Sequence, residues 1–269
     1  MTVLGTSKPG PEATTHGSTP TLLSVRELTR VYGGVHAVDG VSFDVPEATI
    51  VGLIGPNGAG KSTVLKCVSG THPTSGKVYV DGEDVTDNQP HELARRGVIR
   101  TFQLASVFPR LTVMENLLLG VRAHPGESLR GALLGKTFWR RYEGEYLEQA
   151  RNLLAEFEMT HKEDDYAGDL SGGQKRLVEI MRALMSKARI LLLDEPMTGV
   201  SPFLCRRIEE HLHRLRAEGL TMLLVEHGLG AVERLCDDVL VMAQGKVIAR
   251  GSMAEIRANR SVVEAYLVG

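Results

Sequence analysis

The residues from Gly55 to Thr63 have the types and spacing of a loop that holds phosphate groups. They fit the pattern G-x-x-x-x-G-K-[ST] and stand between an apolar stretch and a stretch with helical character. Glycine lets the backbone curl so that its N–H groups point inward at a polyphosphate, and the start of a helix adds positive potential there. The pattern therefore predicts nucleotide binding. The predicted binding residues are Gly55, Pro56, Asn57, Gly58, Ala59, Gly60, Lys61, Ser62 and Thr63.

Three side chains at the end of this loop have separate predicted roles. Lys61 can reach the β- and γ-phosphates, the Ser62 hydroxyl is placed to bind Mg²⁺, and Thr63 can donate to the α-phosphate. The alternative is a chance glycine-rich turn, which the strand–loop–helix order disfavours. The loop alone does not distinguish a transport ATPase from a GTPase, a kinase or a DNA-repair ATPase.

Two acids, Asp194 and Glu195, follow the apolar run Ile190 to Leu193. In a parallel sheet, ligands bind at the carboxyl ends of the strands, where the phosphate loop also lies. Asp194 can then hold Mg²⁺ through water together with Ser62, and Glu195 can act as the general base for a water that attacks the γ-phosphate. The alternative is a strand that ends in solvated acids.

The elements that must position these residues alternate between strands and helices. Apolar runs predict strands at Ile190 to Leu193, Thr221 to Val225 and Val239 to Met242, with helices between them. Such alternation predicts an α/β fold with a mainly parallel sheet covered on both faces. The section from about Thr112 to Tyr166 has helical periodicity, interrupted from Gly126 to Gly135.

The ends and the overall composition add further expectations. Residues 1–21 are rich in Thr, Ser, Pro and Gly, which is typical of a disordered extension. A net charge of −2 implies no general attraction to nucleic acid, and we expect no nucleic-acid partner. No apolar run approaches the ~18 residues that span a bilayer, so a partner chain would have to supply any membrane part. Three cysteines without CxxC spacing predict reduced thiols.

The peptide Leu170-Ser171-Gly172-Gly173-Gln174 resembles the signature peptide of the ABC ATPase family. The phosphate loop, this peptide and the two acids also occur in the family's order. The resemblance implies a P-loop NTPase domain over residues 22–269, with a mainly parallel core sheet, an antiparallel β subdomain and an inserted α-helical subdomain at roughly 104–170. It also implies a head-to-tail dimer that encloses two ATP molecules. In that dimer Ser171, Gly172, Gly173 and Gln174 would contact ATP held by the partner subunit. Without the family, the peptide predicts a turn followed by a helix.

Three further residues match the family one by one. Tyr32 matches the aromatic residue that stacks on adenine. Gln103 matches the glutamine that contacts Mg²⁺ and the attacking water and senses the membrane subunit. His227 matches the histidine that hydrogen-bonds the γ-phosphate. The resemblance thus assigns catalysis to Glu195, His227 and Gln103, and the metal to Ser62, Gln103 and Asp194. By themselves, Tyr32 could be a half-buried strand residue, His227 a structural histidine, and Gln103 carries no signal.

One position departs from the family. Ser201 stands where many members have an aspartate that helps couple the two ATP sites of the dimer. The residues for binding and hydrolysis are intact, so the departure concerns coupling.

The stretches 32–45 and 100–120, the Val225-Glu226-His227 peptide and the residues 264–267 resemble the ATPases of branched-chain amino acid importers. Urea or amide importers and lipopolysaccharide exporters share parts of this pattern. The resemblance implies an ATPase at the cytoplasmic face of the cell membrane, bound peripherally. Its partners would be a second ATPase subunit, homo- or heterodimeric, transmembrane permease subunits and, for an importer, a solute-binding protein. A soluble ABC ATPase acting on DNA or ribosomes is the alternative class, but its usual tandem cassettes and basic arms are missing from the sequence.

Overall fold

The structure is a computed structural model that describes residues 20–101, 107–121 and 136–268. Within these ranges the strands are β1 Thr21–Tyr32, β2 Val35–Pro46, β3 Ile50–Ile54, β4 Ser75–Val80, β5 Glu83–Asp84, β6 Val98–Arg100, β7 Ile190–Asp194, β8 Thr221–Val225, β9 Asp238–Ala243 and β10 Lys246–Gly251. They form a six-stranded sheet in the order β10-β9-β3-β8-β7-β6 and a four-stranded sheet in the order β2-β1-β4-β5.

The described α-helices lie mainly between the strands of the larger sheet. They are α1 Lys61–Val68, α2 Pro90–Arg95, α3 Val113–Leu118, α4 Lys136–Glu156, α5 Gly172–Met185, α6 Pro202–Ala217, α7 Leu229–Leu235, α8 Met253–Ala258 and α9 Arg260–Val268. None of these helices is both long enough and apolar enough to cross a bilayer.

The larger sheet confirms the predicted parallel core. Strands β9, β3, β8, β7 and β6 pair in parallel, and β10 joins at one edge as an antiparallel strand. Every residue of β3, β7 and β8 is buried, which explains why these strands are apolar apart from Asp194 and Thr221. Because the strands are parallel, the phosphate loop after β3, the acids at the end of β7 and the residues after β8 all reach the same edge of the sheet.

The smaller sheet is antiparallel, as the resemblance implied, and β1 and β2 form its hairpin. The hairpin turns at Gly33 and Gly34, where φ is +53° and +88°, values that favour glycine. Strand β1 begins at Thr21, so this residue belongs to the folded domain and not to the predicted extension of residues 1–21. Before β1, the Pro20 carbonyl accepts a 2.8 Å hydrogen bond from the Glu47 N–H.

Helices α3, α4 and α5 pack together between β6 and β7 in sequence, at the place of the predicted helical insertion. The side chain of Thr112 caps α3 by accepting from the Glu115 N–H at 3.1 Å. Helix α4 agrees with the predicted helical periodicity, and its residues Ala150 and Leu154 are fully buried. The predicted interruption at 126–135 lies outside the described residues.

The three cysteines are free thiols, as predicted. Burial raises the pKa of Cys67 to about 11 and that of Cys236 to about 12. Desolvation also raises the pKa of Cys205. Since the thiolate is the reactive form, these residues contribute packing rather than chemistry.

Candidate nucleotide site

The phosphate loop connects β3 to α1 and borders a cleft of about 380 Å³. The cleft is lined by Ala37, Asn57, Gly58, Ala59, Gly60, Lys61, Ser62, Thr63, Glu195 and His227. Two glycines of the loop are sterically required, because φ is +149° at Gly55 and +101° at Gly60. An added Cβ would lie 2.0 Å from the Met242 carbonyl oxygen at Gly55, and 2.2 Å from that of Ala37 at Gly60. The loop therefore packs its backbone directly against neighbouring backbone.

Lys61 begins α1 and is almost fully buried. Its ammonium group donates to the carbonyls of Gly55 at 2.7 Å and Pro56 at 2.9 Å, so the side chain folds back along the loop. Burial lowers the pKa of Lys61, while the nearby charges of Glu195 and Asp194 raise it and partly offset that effect. These contacts hold the side chain of Lys61 against the phosphate loop, where it lines the cleft.

Asp194, at the end of β7, is fully buried beside this loop. Its Oδ1 lies 3.5 Å from the Ser62 hydroxyl, and its Oδ2 accepts a hydrogen bond of 2.9 Å from Arg100. A hydroxyl and a carboxylate are the hard oxygen donors that Mg²⁺ prefers. The predicted metal residues Ser62 and Asp194 are therefore adjacent and fit Mg²⁺, whereas Gln103 lies outside the described residues.

Arg100 contacts Asp194 at the site, although the sequence motifs do not predict it there. It ends β6, and β6 pairs in parallel with β7, which places its side chain near the end of that strand. The signal in the sequence is a charged residue directly after the apolar pair Val98-Ile99. That signal becomes informative only once β6 is known to be the neighbour of β7.

Glu195 and His227 both line the cleft and hydrogen-bond each other. His227 Nε2 is 2.8 Å from Glu195 Oε1, and the Glu195 side chain is only 13% exposed. Glu195 has a φ of +50°, a left-handed conformation that is uncommon for a residue with a side chain. Its N–H donates to the Val225 carbonyl at 2.9 Å, which holds the chain in this turn. The structure thus brings both predicted residues into the cleft.

Glu226, next to His227, is a buried acid that supports this arrangement. Its carboxylate accepts from the backbone N–H groups of Met197 at 2.8 Å and His227 at 3.2 Å. Desolvation raises the pKa of Glu226. It therefore ties the loop after Glu195 to the loop that carries His227.

Tyr32 ends β1 and is partly exposed. Among the described residues, it does not line the phosphate cleft, although Ala37 on the paired strand does. The Arg30 guanidinium lies 4.7 Å from the centre of the Tyr32 ring, which is a cation–π contact. The ring is accessible for stacking, but its place relative to a nucleotide stays a prediction.

Ser171 caps the start of α5 in a capping box with Gln174. The Gln174 N–H donates to Ser171 Oγ at 3.3 Å, and the Ser171 N–H donates to Gln174 Oε1 at 2.9 Å. Ser171 and Gly172 are exposed, while Gly173 is buried. In the described part of the chain, none of the four predicted residues lines the phosphate cleft of the same chain.

Ser201, the departure from the family pattern, caps α6 by accepting from the Leu204 N–H at 3.4 Å. Serine and aspartate are both favoured at this cap. The local helix start is therefore preserved with Ser201.

The chain is similar to known proteins over most of its length. The family model described as ABC transporter matches residues 38–198, and the model described as branched-chain amino acid ATP-binding cassette transporter matches residues 246–267. The high-affinity branched-chain amino acid transport ATP-binding protein BraF of Pseudomonas aeruginosa is 40% identical, over 91% of this chain and 97% of its own. The probable branched-chain amino acid transport ATP-binding protein LivG of Archaeoglobus fulgidus is 38% identical, over 91% of this chain and 95% of its own.

Two similar solved structures are cassettes from ABC transporters. One, in its ADP conformation, has a TM-score of 0.79 and 38% identity, over 93% of this chain and 99% of its own. The other, free of nucleotide, has a TM-score of 0.78 and 38% identity, over 92% of this chain and 99% of its own.

Proposed function

Because the chain belongs to the ABC transporter family, we propose that it is the ATP-hydrolysing subunit of an importer for branched-chain or related amino acids. Family membership confirms two predictions from the sequence, the α/β P-loop fold and ATP hydrolysis that energises a transporter. The solute, the partner subunits and the role of each side chain belong to the proposal.

The match of residues 246–267 to the branched-chain amino acid cassette model is the observation that carries the solute class. This segment contains β10, α8 and most of α9, and it supplies neither the phosphate loop nor the acids of the site. Its residues Ile256 and Val262 belong to a buried cluster that includes Ile54, directly before the phosphate loop. Because the segment lies outside the hydrolytic residues, its sequence can differ between transporters that share the same chemistry.

We assign the phosphates of ATP to Lys61 and to the backbone N–H groups from Asn57 to Thr63. The geometry supports this, because the loop curls around the cleft and Lys61 brings a positive charge into it. Ser62 and Asp194 would hold Mg²⁺, together with Gln103. When bound, the ion would neutralise charge on the phosphate oxygens.

Glu195 is proposed as the general base for the attacking water. Its carboxylate lies at the cleft and His227 Nε2 orients it, which is the arrangement a base needs to accept a proton from a positioned water. His227 is more exposed than Glu195 and can also donate to the γ-phosphate.

A second copy or a related cassette is proposed to complete the site. In the described part of the chain, the phosphate cleft contains no residue of the peptide Ser171 to Gln174. The start of α5 offers N–H donors and the positive end of a helix, which suits an anion held by another subunit. Tyr32 would stack on adenine. Permease subunits and a solute-binding protein complete the proposed importer, with this chain at the cytoplasmic face of the membrane.

The test is solute uptake by cells of the source organism that lack this gene. Uptake of labelled leucine, isoleucine or valine should fall, the wild-type gene should restore it, and Glu195→Gln should not. Glu115→Gln is the matched control, because it makes the same chemical change in the capping box of α3. Unchanged amino-acid uptake, with urea import or lipopolysaccharide export lost instead, would show that the proposed solute is wrong.

A further inference from the structure

The two oxygens of the buried Asp194 carboxylate have different partners. Oδ1 lies near the Ser62 hydroxyl, and Oδ2 accepts the 2.9 Å hydrogen bond from Arg100 Nη2. A buried carboxylate without a compensating cation is strongly unfavourable. Arg100 supplies that cation at Oδ2, whereas Oδ1 is the oxygen near Ser62 of the phosphate loop.

Arg100 makes few other polar contacts among the described residues. Its side chain is only 15% exposed, and its Nε is buried with no hydrogen-bond partner among the described residues. Its Nη1 lies 3.5 Å from Ser69 Oγ, at the outer limit of a hydrogen bond. Of the other nearby cations, Lys61 donates to carbonyls of the phosphate loop, and Arg176 donates to the backbone carbonyl of Asp194. Asp194 is therefore the principal partner of Arg100.

The sheet sets the geometry of this contact. Arg100 is in register with Leu192, two residues before Asp194 on the neighbouring parallel strand. A long side chain at the end of β6 can therefore reach the carboxylate at the end of β7. Both residues are anchored by strand pairing, so the contact can fix the orientation of the carboxylate.

We propose that Arg100 is a positioning residue for the Mg²⁺ site. Arg100 holds Asp194 Oδ2, so that Oδ1 is directed toward Ser62 and the cleft. This inference rests on the proposed function, because it deepens the metal site assigned there. Arginine suits the task because its planar, permanently charged fork defines direction, whereas lysine offers a point charge.

The experiment measures equilibrium binding of a fluorescent, non-hydrolysable ATP analogue to the full chain, first in EDTA and then across a Mg²⁺ titration. Arg100→Met should raise the Mg²⁺ concentration at half-saturation about tenfold. Loss of a residue that orients a metal ligand typically weakens metal binding by about 10- to 100-fold, and the expected change is at the lower end of that range. Affinity in EDTA should not change. Arg100→Lys should give a smaller rise. Arg234→Met is the matched control, because it removes an arginine paired with the nearly buried Glu209 at a distance from the cleft.

The Asp194→Asn variant tests the metal site separately from the role of Arg100. This variant should lose most of the Mg²⁺ dependence, and Arg100→Met added to it should cause no further rise, because Arg100 acts through Asp194. The double variant also lacks the unpaired charge that could impair folding of Arg100→Met.

Three outcomes decide the matter. If Asp194→Asn keeps the Mg²⁺ dependence, the proposed metal site itself is wrong. If Asp194→Asn loses it but Arg100→Met matches the wild type, only the role of Arg100 is overturned. Equal shifts for Arg100→Met and Arg234→Met would indicate a general loss of structure and would also overturn it.

Discussion

Replacement of Glu195 by glutamine removes one negative charge and leaves the shape of the side chain unchanged. Glutamine can still hydrogen-bond His227, which lies 2.8 Å from the carboxylate, and Thr198, whose hydroxyl lies 3.3 Å away. The left-handed backbone at residue 195 is equally strained for both side chains. The variant should therefore fold normally and lose only the ability to accept a proton.

The expected effect follows from what a positioned base contributes. General-base catalysis typically accelerates a reaction by about 10²- to 10⁴-fold, which corresponds to ~2.7–5.4 kcal/mol of the activation barrier. ATP binding should change little, because Lys61 and Ser62 retain their positions in the cleft and make no hydrogen bond to Glu195 among the described contacts. The structure thus predicts a large loss in kcat with little change in affinity.

Steady-state phosphate release and equilibrium binding of a fluorescent ATP analogue measure these two quantities separately. Glu115→Gln should keep the wild-type values for both, because its site is a helix cap. Wild-type turnover by Glu195→Gln would refute the role of Glu195 as the base. Weaker binding in proportion to the loss of turnover would instead show that the carboxylate maintains the shape of the cleft.

Three further predictions concern the phosphate loop, Glu226 and the start of α5. Gly58→Ala should cost about 1–2 kcal/mol in the free energy of unfolding, because φ is +77° but the added Cβ meets nothing. Gly60→Ala should cost more, because its Cβ would meet the Ala37 carbonyl; equal losses in urea unfolding would contradict this. The pKa of Glu226 is raised in the folded state above its ordinary 4.5, so the folded protein binds this proton more tightly than the unfolded chain. The contribution of this proton to the free energy of unfolding is fully present below pH 4.5 and is lost as the pH rises through the raised pKa. Glu226→Gln should flatten this part of the stability–pH curve, and an unchanged slope would exclude Glu226 as its source. Gly172→Ala should leave the free energy of unfolding unchanged or raise it by up to ~1 kcal/mol, because the added Cβ meets nothing. The same variant should weaken ATP-dependent dimerisation measured by sedimentation. Intact dimerisation would contradict the proposed contact of Gly172 with ATP in the partner subunit.

Features encoded by neighbouring residues could be predicted from the sequence. The phosphate loop is recognisable because glycine, lysine and serine must stand at fixed spacing. Strand β7 is recognisable because Ile190 to Leu193 form a continuous apolar run, as expected of a buried parallel strand. The carboxyl-end rule for parallel sheets predicts that Asp194 and Glu195 lie beside the loop. In the structure Asp194 is next to Ser62 and Glu195 lines the cleft.

Contacts between distant residues could not be predicted in this way. The ion pair of Arg100 with Asp194 joins positions 94 residues apart and depends on the strand order of the sheet. The burial of Glu226 likewise depends on the loop that follows Glu195, whose backbone it holds. In the sequence, both residues look like ordinary charges next to apolar strands.

The start of α5 contains a glycine, Gly172, that contacts within one chain do not explain. The capping box satisfies the N–H groups of Ser171 and Gln174 and leaves those of Gly172 and Gly173, which an α-helix cannot satisfy internally. At Gly173, a Cβ would lie 2.9 Å from the Leu204 side chain, so packing within the chain favours glycine. At Gly172, a Cβ would meet nothing and φ is not positive, so neither packing nor backbone strain favours glycine there. Glycine at an exposed helix start then makes sense if another molecule approaches the backbone closely, as the γ-phosphate held by a partner subunit would.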